Sequence, residues 1–170
     1  MRPELLQTFD ELVACYPEGK EKSAILPILH LVQKENDGYL SVAVMDEVAA
    51  YLKIQPIEVY EVATFYTMFK LKPTGKYVLE VCQTGPCCLV GADGIIAHLQ
   101  NTLGIGMNET SADGLFTLRG VECLAACGTA PVMQVGDYYC ENLTPATTDA
   151  LLTEMRDGTF FARMERENGD

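Results

Sequence analysis

The chain has 170 residues, of which 48% are hydrophobic and 21% are charged, enough for one hydrophobic core or two small ones. Twelve Lys and Arg against 24 Asp and Glu leave a formal net charge of −12 at pH 7. So acidic a chain is repelled by phosphate backbones, which excludes nucleic acid as an expected partner. Its apolar runs are much shorter than the roughly 20 residues that a bilayer span requires, and its N-terminus has neither a signal nor a transit pattern. We therefore predict a cytoplasmic protein with no direct membrane insertion.

The first 72 residues have the apolar spacing that is typical of helices. The predicted helices run from Pro3 to Cys15, from an N-cap at Ser23 to the turn at 36–38, from an N-cap at Ser41, and from Pro56 to about Phe69. A turn-rich segment at 72–75 follows them. We therefore predict an N-terminal helical domain over residues 1–72.

The periodicity changes after this junction. Short β-rich segments are expected at 77–82, 114–121, 132–135 and 138–140, with helices over about 89–103 and 147–156. This order predicts an α/β domain over 73–162, with helices on a sheet that mixes parallel and antiparallel pairs, so the fold class of the whole chain is α+β. Residues 163–170 are polar and are expected to form a frayed tail.

Seven cysteines are unusual for an unexported chain, because a reducing compartment keeps thiols unpaired. Four residues separate Cys82, at the end of the first strand, from Cys87, and three residues separate Cys123 from Cys127 after the next strand. Loops that follow neighbouring strands often lie at the same edge of an α/β sheet, so the two pairs can converge there. We predict that these four cysteines bind one metal centre.

Three chemistries fit four such thiolates. A binuclear iron–sulfur cluster accommodates the wide spacing best. A zinc site normally uses pairs with two intervening residues and is the second choice, and a thiol–disulfide exchanger would be expected to show Cys-x-x-Cys, which is absent from the sequence. Cys15, Cys88 and Cys140 have no further partner at ligand spacing and are interpreted as packing residues.

The residues around these cysteines resemble a known family. The segments Cys82–Cys87 and Glu122–Pro131, with Tyr60–Tyr66 upstream, are similar to the small iron–sulfur subunit of respiratory complex I (NADH:quinone oxidoreductase). The similarity spans nearly the whole chain. It implies a thioredoxin-like ferredoxin domain that holds one [2Fe–2S] cluster as cofactor, preceded by a helical domain that packs on the FMN- and NADH-binding subunit. The ligands that it implies are Cys82, Cys87, Cys123 and Cys127.

The resemblance also implies a function, that of an electron-transfer subunit which exchanges electrons with FMN in its NADH-oxidising partner. It places the chain among the peripheral-arm subunits, at the inner membrane only through the complex. Related subunits occur in NAD-linked hydrogenases and formate dehydrogenases, and these enzymes are the alternative parent complexes. The alternative outside electron transfer is a zinc-stabilised binding module. The sequence has no nucleotide-binding loop, since the glycines at 104 and 106 are not followed by one at 109, so no activity is expected of the chain alone. Cys88 directly follows Cys87, and the ligand could shift by one residue.

Overall fold

The computed structural model describes residues 3–168. The chain divides into two compact units between Pro73 and Thr74, and the α+β fold class is confirmed, with helices in the first unit and helices with a sheet in the second. None of the helices within residues 3–168 is both long and apolar enough to cross a membrane.

The first unit is helical. Its elements are α1 (Pro3–Ala14), a 3₁₀ turn (Glu21–Ala24), α2 (Ile25–Glu35), α3 (Val42–Leu52) and α4 (Pro56–Phe65). One apolar cluster holds these helices together, and its side chains with no exposed surface include Phe9, Ile28, Leu29, Leu40, Val48 and Val59. Burial of such side chains stabilises a small domain by roughly 1.5–3 kcal/mol each.

Most of the predicted helix ends in this unit agree with the structure, and two do not. The Ser41 hydroxyl accepts the N–H of Val44 at the start of α3, and Pro56 is the first residue of α4, so both predicted starts are confirmed. The predicted N-cap at Ser23 is wrong, because Ser23 lies inside the 3₁₀ turn and α2 begins after it. The end of α4 also differs from the prediction, since the backbone of Tyr66 is already extended.

The second unit is a four-stranded sheet with helices. Its elements are β1 (Tyr77–Cys82), α5 (Gly85–Leu89), α6 (Ala92–Leu103), β2 (Phe116–Val121), a 3₁₀ turn (Cys127–Thr129), β3 (Met133–Val135), β4 (Tyr138–Cys140), α7 (Pro145–Asp157) and α8 (Phe160–Asn168). The strand order is β2-β1-β3-β4. β1 pairs in parallel with β2 and antiparallel with β3, and β3 pairs antiparallel with β4, so the predicted mixed sheet is confirmed. Its core includes Tyr77, Leu79, Leu99, Phe116, Leu118 and Leu152.

The register of the parallel pair sets the place of the cysteines. Cys82, the last residue of β1, lies opposite Val121, the last residue of β2. The chain therefore leaves both strands at the same edge of the sheet, and the two cysteine-bearing loops begin side by side. The Gln83 N–H donates to the Val121 carbonyl oxygen at 2.9 Å, which extends the pairing beyond the strands into these loops.

Two helices differ from the sequence-based expectation. The single helix predicted over about 89–103 is divided into α5 and α6 by Gly91, whose φ is +101°. The predicted polar tail at 163–170 is helical as far as the structure describes it, because Met164 is buried in the core and Arg163 donates to Glu154 and Glu167. Residues 169–170 of that predicted tail lie outside the described part of the chain.

Candidate metal centre

Cys82 and Cys87 form the buried half of the site. Both side chains are almost fully buried, in a small apolar cluster that includes Leu124 and Val132. Thr84 lies between them in the chain, and its carbonyl oxygen accepts the Cys87 N–H at the first turn of α5. The two side chains lie in the same cluster and each affects the pKa of the other, so the structure brings this predicted pair together.

Cys123 and Cys127 form the exposed half of the site. Ala125, between them, has a left-handed backbone with φ +56°, which turns its N–H towards Cys123 and forms a 3.3 Å hydrogen bond to the sulfur. Cys127 begins the second 3₁₀ turn and is close enough for its charge to act on Cys87. Within residues 3–168, no group of three or more Cys, His, Asp or Glu side chains is arranged to hold a single metal ion.

Backbone N–H groups point at the cysteine sulfurs. The Ala125 amide donates to Cys123 at 3.3 Å, and the amides of Thr84 and Leu124 near Cys82, and of Val132 near Cys87, act to lower the pKa of those thiols. Thiolates bound to iron accept such hydrogen bonds, which help to set the potential of a cluster. Four soft sulfur donors at one sheet edge, supplied with amide donors, fit the ligand set of an iron–sulfur cluster.

The two buried thiols have opposite electrostatic environments. Burial alone would raise the pKa of Cys82, but the Thr84 and Leu124 amides and the Cys87 thiol donate hydrogen bonds that together hold it below its usual value. Burial, together with the hydrogen bond and the charge of Cys82, raises the pKa of Cys87 to about 11.

Three hydrogen bonds that were not predicted from the sequence fix the Cys123–Cys127 loop and its continuation. The Tyr139 hydroxyl, on β4, donates to the Leu124 carbonyl oxygen at 2.9 Å. The Thr129 hydroxyl donates to Glu141 at 2.6 Å, and the Asn142 N–H donates to the Thr129 carbonyl oxygen at 2.7 Å. β4 and the residues directly after it thus fix the loop through these hydrogen bonds. No residue spacing in the sequence indicates the contacts.

Cys88 lies beside the site but its sulfur has other partners. The Cys88 thiol is hydrogen-bonded to the Gln83 carbonyl oxygen at 3.2 Å and to Asp93 Oδ1 at 3.5 Å. Burial and the carboxylate of Asp93 raise the pKa of Cys88. The geometry therefore favours Cys87 over Cys88 as the ligand.

The two remaining cysteines have different environments. Cys140 is buried, as expected of a packing residue, whereas Cys15 is exposed, so the packing interpretation is wrong for Cys15. Cys15 lies just beyond the end of α1, where its thiol is 3.4 Å from the Glu11 carbonyl oxygen.

We expect Cys15 to be alkylated by iodoacetamide in the native protein and Cys140 to be protected. Burial raises the pKa of Cys140 to about 12, so at pH 8 roughly one molecule in 10⁴ has the reactive thiolate. Peptide mass spectrometry after brief labelling measures both sites, and unfolding in urea before labelling is the control that exposes Cys140. Labelling of native Cys140 as fast as Cys15 would contradict the buried environment.

A comparison with known protein families identifies the chain. Residues 9–156 match the model of the thioredoxin-like [2Fe–2S] ferredoxin family. The chain belongs to this family. Membership confirms the predicted cofactor, a [2Fe–2S] cluster, and the thioredoxin-like fold of the cysteine-containing part.

Relatives extend the family match over nearly the whole chain. The chain is 45% identical over 166 residues to an NADH-quinone oxidoreductase subunit of Rhizobium meliloti. The aligned residues cover 98% of this chain and 95% of that protein. It is 48% identical over 139 residues to the corresponding NADH-quinone oxidoreductase subunit of Rickettsia conorii, covering 82% of this chain and 83% of the relative. The predicted resemblance to this small complex I subunit is confirmed, and these relatives are subunits of an oxidoreductase.

Solved structures confirm the fold. One chain of the NAD+-reducing [NiFe]-hydrogenase in its air-oxidised state contains a region of similar fold, with a TM-score of 0.68 and 19% identity over 86% of this chain. The same enzyme in its H2-reduced state gives a TM-score of 0.67. This chain spans only 24% of the air-oxidised hydrogenase chain that it matches.

Proposed function

We propose that this chain is the [2Fe–2S] electron-transfer subunit of an NADH:quinone oxidoreductase, and that it exchanges electrons with FMN in an NADH-oxidising partner. Cys82, Cys87, Cys123 and Cys127 are the proposed ligands. The observation that supports this most strongly is that both cysteine-bearing loops begin at one sheet edge, where the Ala125 amide donates a hydrogen bond to the Cys123 sulfur. The names of the similar subunits supply the parent complex.

The bound cluster supplies one-electron transfer, and the residues of this chain hold it and control its surroundings. The amides of Thr84, Leu124 and Ala125 stabilise negative charge on sulfur. The apolar surroundings of Cys82 and Cys87 exclude water from one side of the site. Cys123 and Cys127 are exposed, so we propose that electrons enter and leave on their side.

The helical unit is the proposed docking element for the FMN- and NADH-binding subunit. Several large apolar side chains are exposed at and beyond the end of α4, namely Phe65 (76%), Tyr66, Met68 and Leu71. The rings of Phe65 and Tyr66 pack edge to face at 5.0 Å. Contiguous exposed apolar side chains mark protein interaction sites, so we infer that this patch is covered in the complex, with other peripheral-arm subunits nearby and the membrane reached only through them.

A second parent complex is also supported by one observation. The solved structures that resemble this chain belong to an NAD+-reducing hydrogenase. The same role in an NAD-linked hydrogenase is therefore the second candidate, and a formate dehydrogenase of similar construction is a third parent. All three give this chain the same electron-transfer role and no activity of its own.

The test of the proposed function uses the anaerobically purified chain with and without its flavoprotein partner. The chain alone should contain about two irons and two acid-labile sulfides and give the paramagnetic signal of a reduced cluster with dithionite but not with NADH. With the partner present, NADH should produce the same signal. Stoichiometric zinc without iron, or reduction by NADH without the partner, would contradict the proposal.

Deleting residues 1–73 tests the docking role of the helical unit. The deletion should weaken co-purification with the flavoprotein, because it removes the exposed apolar patch after α4. The iron and sulfide content of the remaining unit shows whether the site is intact. Normal co-purification of a truncated chain that retains its cluster would contradict the docking role.

A further inference from the structure

A pair of exposed aliphatic side chains follows Cys87 directly on its helix. Leu89 is 88% exposed, the largest value among the large apolar side chains that the structure describes, and Val90 is 54% exposed. The sequence pattern predicts Leu89 on the buried face of a continuous helix, and the left-handed Gly91 places it in solvent instead. An apolar side chain held almost fully in water gains free energy when a partner covers it.

The pair is rigidly connected to the metal centre. The Val90 N–H donates to the Cys87 carbonyl oxygen at 3.2 Å, and the Gly91 N–H donates to the Cys88 carbonyl oxygen at 3.1 Å. Cys87 itself is buried against Val132. Leu89 and Val90 therefore keep a fixed position relative to the sulfur ligand, and a partner bound to them is held within a few residues of the cluster.

The sequence segment that contains the pair and both cysteine loops has acidic side chains and a single Lys or Arg, which is Arg119. No Lys or Arg occurs in 77–118 or in 120–155, and Arg119 between them lies 3.3 Å from Glu80 in an ion pair. The acidic residues at this edge are tied to the site, since Asp93 accepts from Cys88 and Glu141 accepts from Thr129. Exposed Glu122 precedes Cys123. An apolar centre with an acidic border complements an apolar pocket bordered by basic residues.

From this arrangement we propose a second docking contact, the anchor Leu89–Val90, which inserts into an apolar pocket lined at its rim by Lys or Arg on the NADH-oxidising flavoprotein. This inference rests on the proposed function and specifies the chemistry of the partner at the metal centre. The anchor orients the cluster towards the partner's flavin, a task that docking through the helical unit alone does not perform.

The experiment measures binding of the full-length, cluster-loaded chain to the flavoprotein subunit from the same organism. The double variant Leu89→Ser/Val90→Ser should raise the dissociation constant at least about tenfold, as expected for the loss of a central anchor. Its dithionite-reduced cluster signal should match that of the wild type. If the double variant loses its cluster, the variant Leu89→Ala is measured in its place, because this change adds no polar atom. Its dissociation constant should rise by the same factor.

A pair of charge variants tests the basic rim. Leu89→Lys should weaken binding more than Leu89→Glu, and added salt should weaken binding of the wild type, because the partner's rim is positive. The control is Thr102→Ala, which shortens an exposed side chain near the end of α6 in the same unit as the anchor and should bind as the wild type does.

The outcomes separate this inference from the proposed function. Wild-type binding by the double variant, equal losses in Thr102→Ala, or stronger losses in Leu89→Glu than in Leu89→Lys would each overturn the anchor or its basic pocket. NADH-driven reduction of the wild-type cluster would still stand in all three cases. Failure of the wild-type cluster to be reduced through the flavoprotein would instead overturn the proposed function.

Discussion

Replacing Cys87 with serine should remove the cluster or shift its spectrum, whereas Cys88→Ser should leave the spectrum unchanged. Cys87 is almost fully buried and in contact with Cys82, while the Cys88 sulfur is engaged with Gln83 and Asp93. A serine oxygen is a harder and poorer ligand for a soft iron–sulfur site. We expect the iron content of Cys87→Ser to fall, or its spectrum to shift where the iron is kept, since one of four proposed ligands is replaced.

Iron and sulfide analysis with the spectrum of the reduced protein distinguishes the two variants. Cys88→Ser is the matched control, because it makes the same chemical change one residue further along α5. A native spectrum in Cys87→Ser together with a damaged one in Cys88→Ser would move the ligand by one residue. Loss of the cluster in both variants would show that the first turn of α5 does not tolerate serine, and the proposed ligand would then lose its support.

The sequence predicted those parts of the fold that depend on local pattern. Short β-rich segments located the four strands. Ser41 and Pro56 located helix starts because their side chains act on the adjacent backbone. The pairing of the two cysteine loops followed from parallel strands ending at one edge.

The parts that sequence reasoning missed depend on contacts between distant residues or on one backbone angle. The periodicity from Leu89 onward fits one helix, and only the left-handed conformation of Gly91 shows that Leu89 leaves the core. The extension of α8 depends on burial of Met164 and on Glu154, an ion-pair partner from another helix. The Tyr139–Leu124 hydrogen bond joins two segments that no spacing rule relates. Ligand roles within the site remain a prediction that Cys87→Ser tests.

Gly75 places the start of β1 against the start of β2 by a close backbone approach. A Cβ on Gly75 would lie 2.7 Å and 2.8 Å from the backbone C and N of Phe116, distances that atoms of this kind do not tolerate. Its N–H donates to the Thr117 hydroxyl at 2.6 Å, and the Tyr77 N–H donates to the Leu115 carbonyl oxygen at 2.8 Å. The chain entering β1 is thus laid directly against the start of β2, and displacing it strains the parallel pair that ends at the cysteines.

Gly75→Ala should therefore destabilise the second unit by about 2–3 kcal/mol, the range for overpacking that forces a backbone shift. In a unit of this size that lowers the midpoint of thermal unfolding by roughly 10 °C or more. The control is Gly94→Ala within α6, where a Cβ meets no atom within 4 Å, so the higher helix propensity of alanine should stabilise the unit by about 0.5–1 kcal/mol. Loss of the visible cluster absorption on heating, at one fixed scan rate and without oxygen, measures both variants. An unchanged midpoint for Gly75→Ala would show that the β1–β2 junction relaxes without strain, and that the close approach at Phe116 does not fix the pairing of these strands.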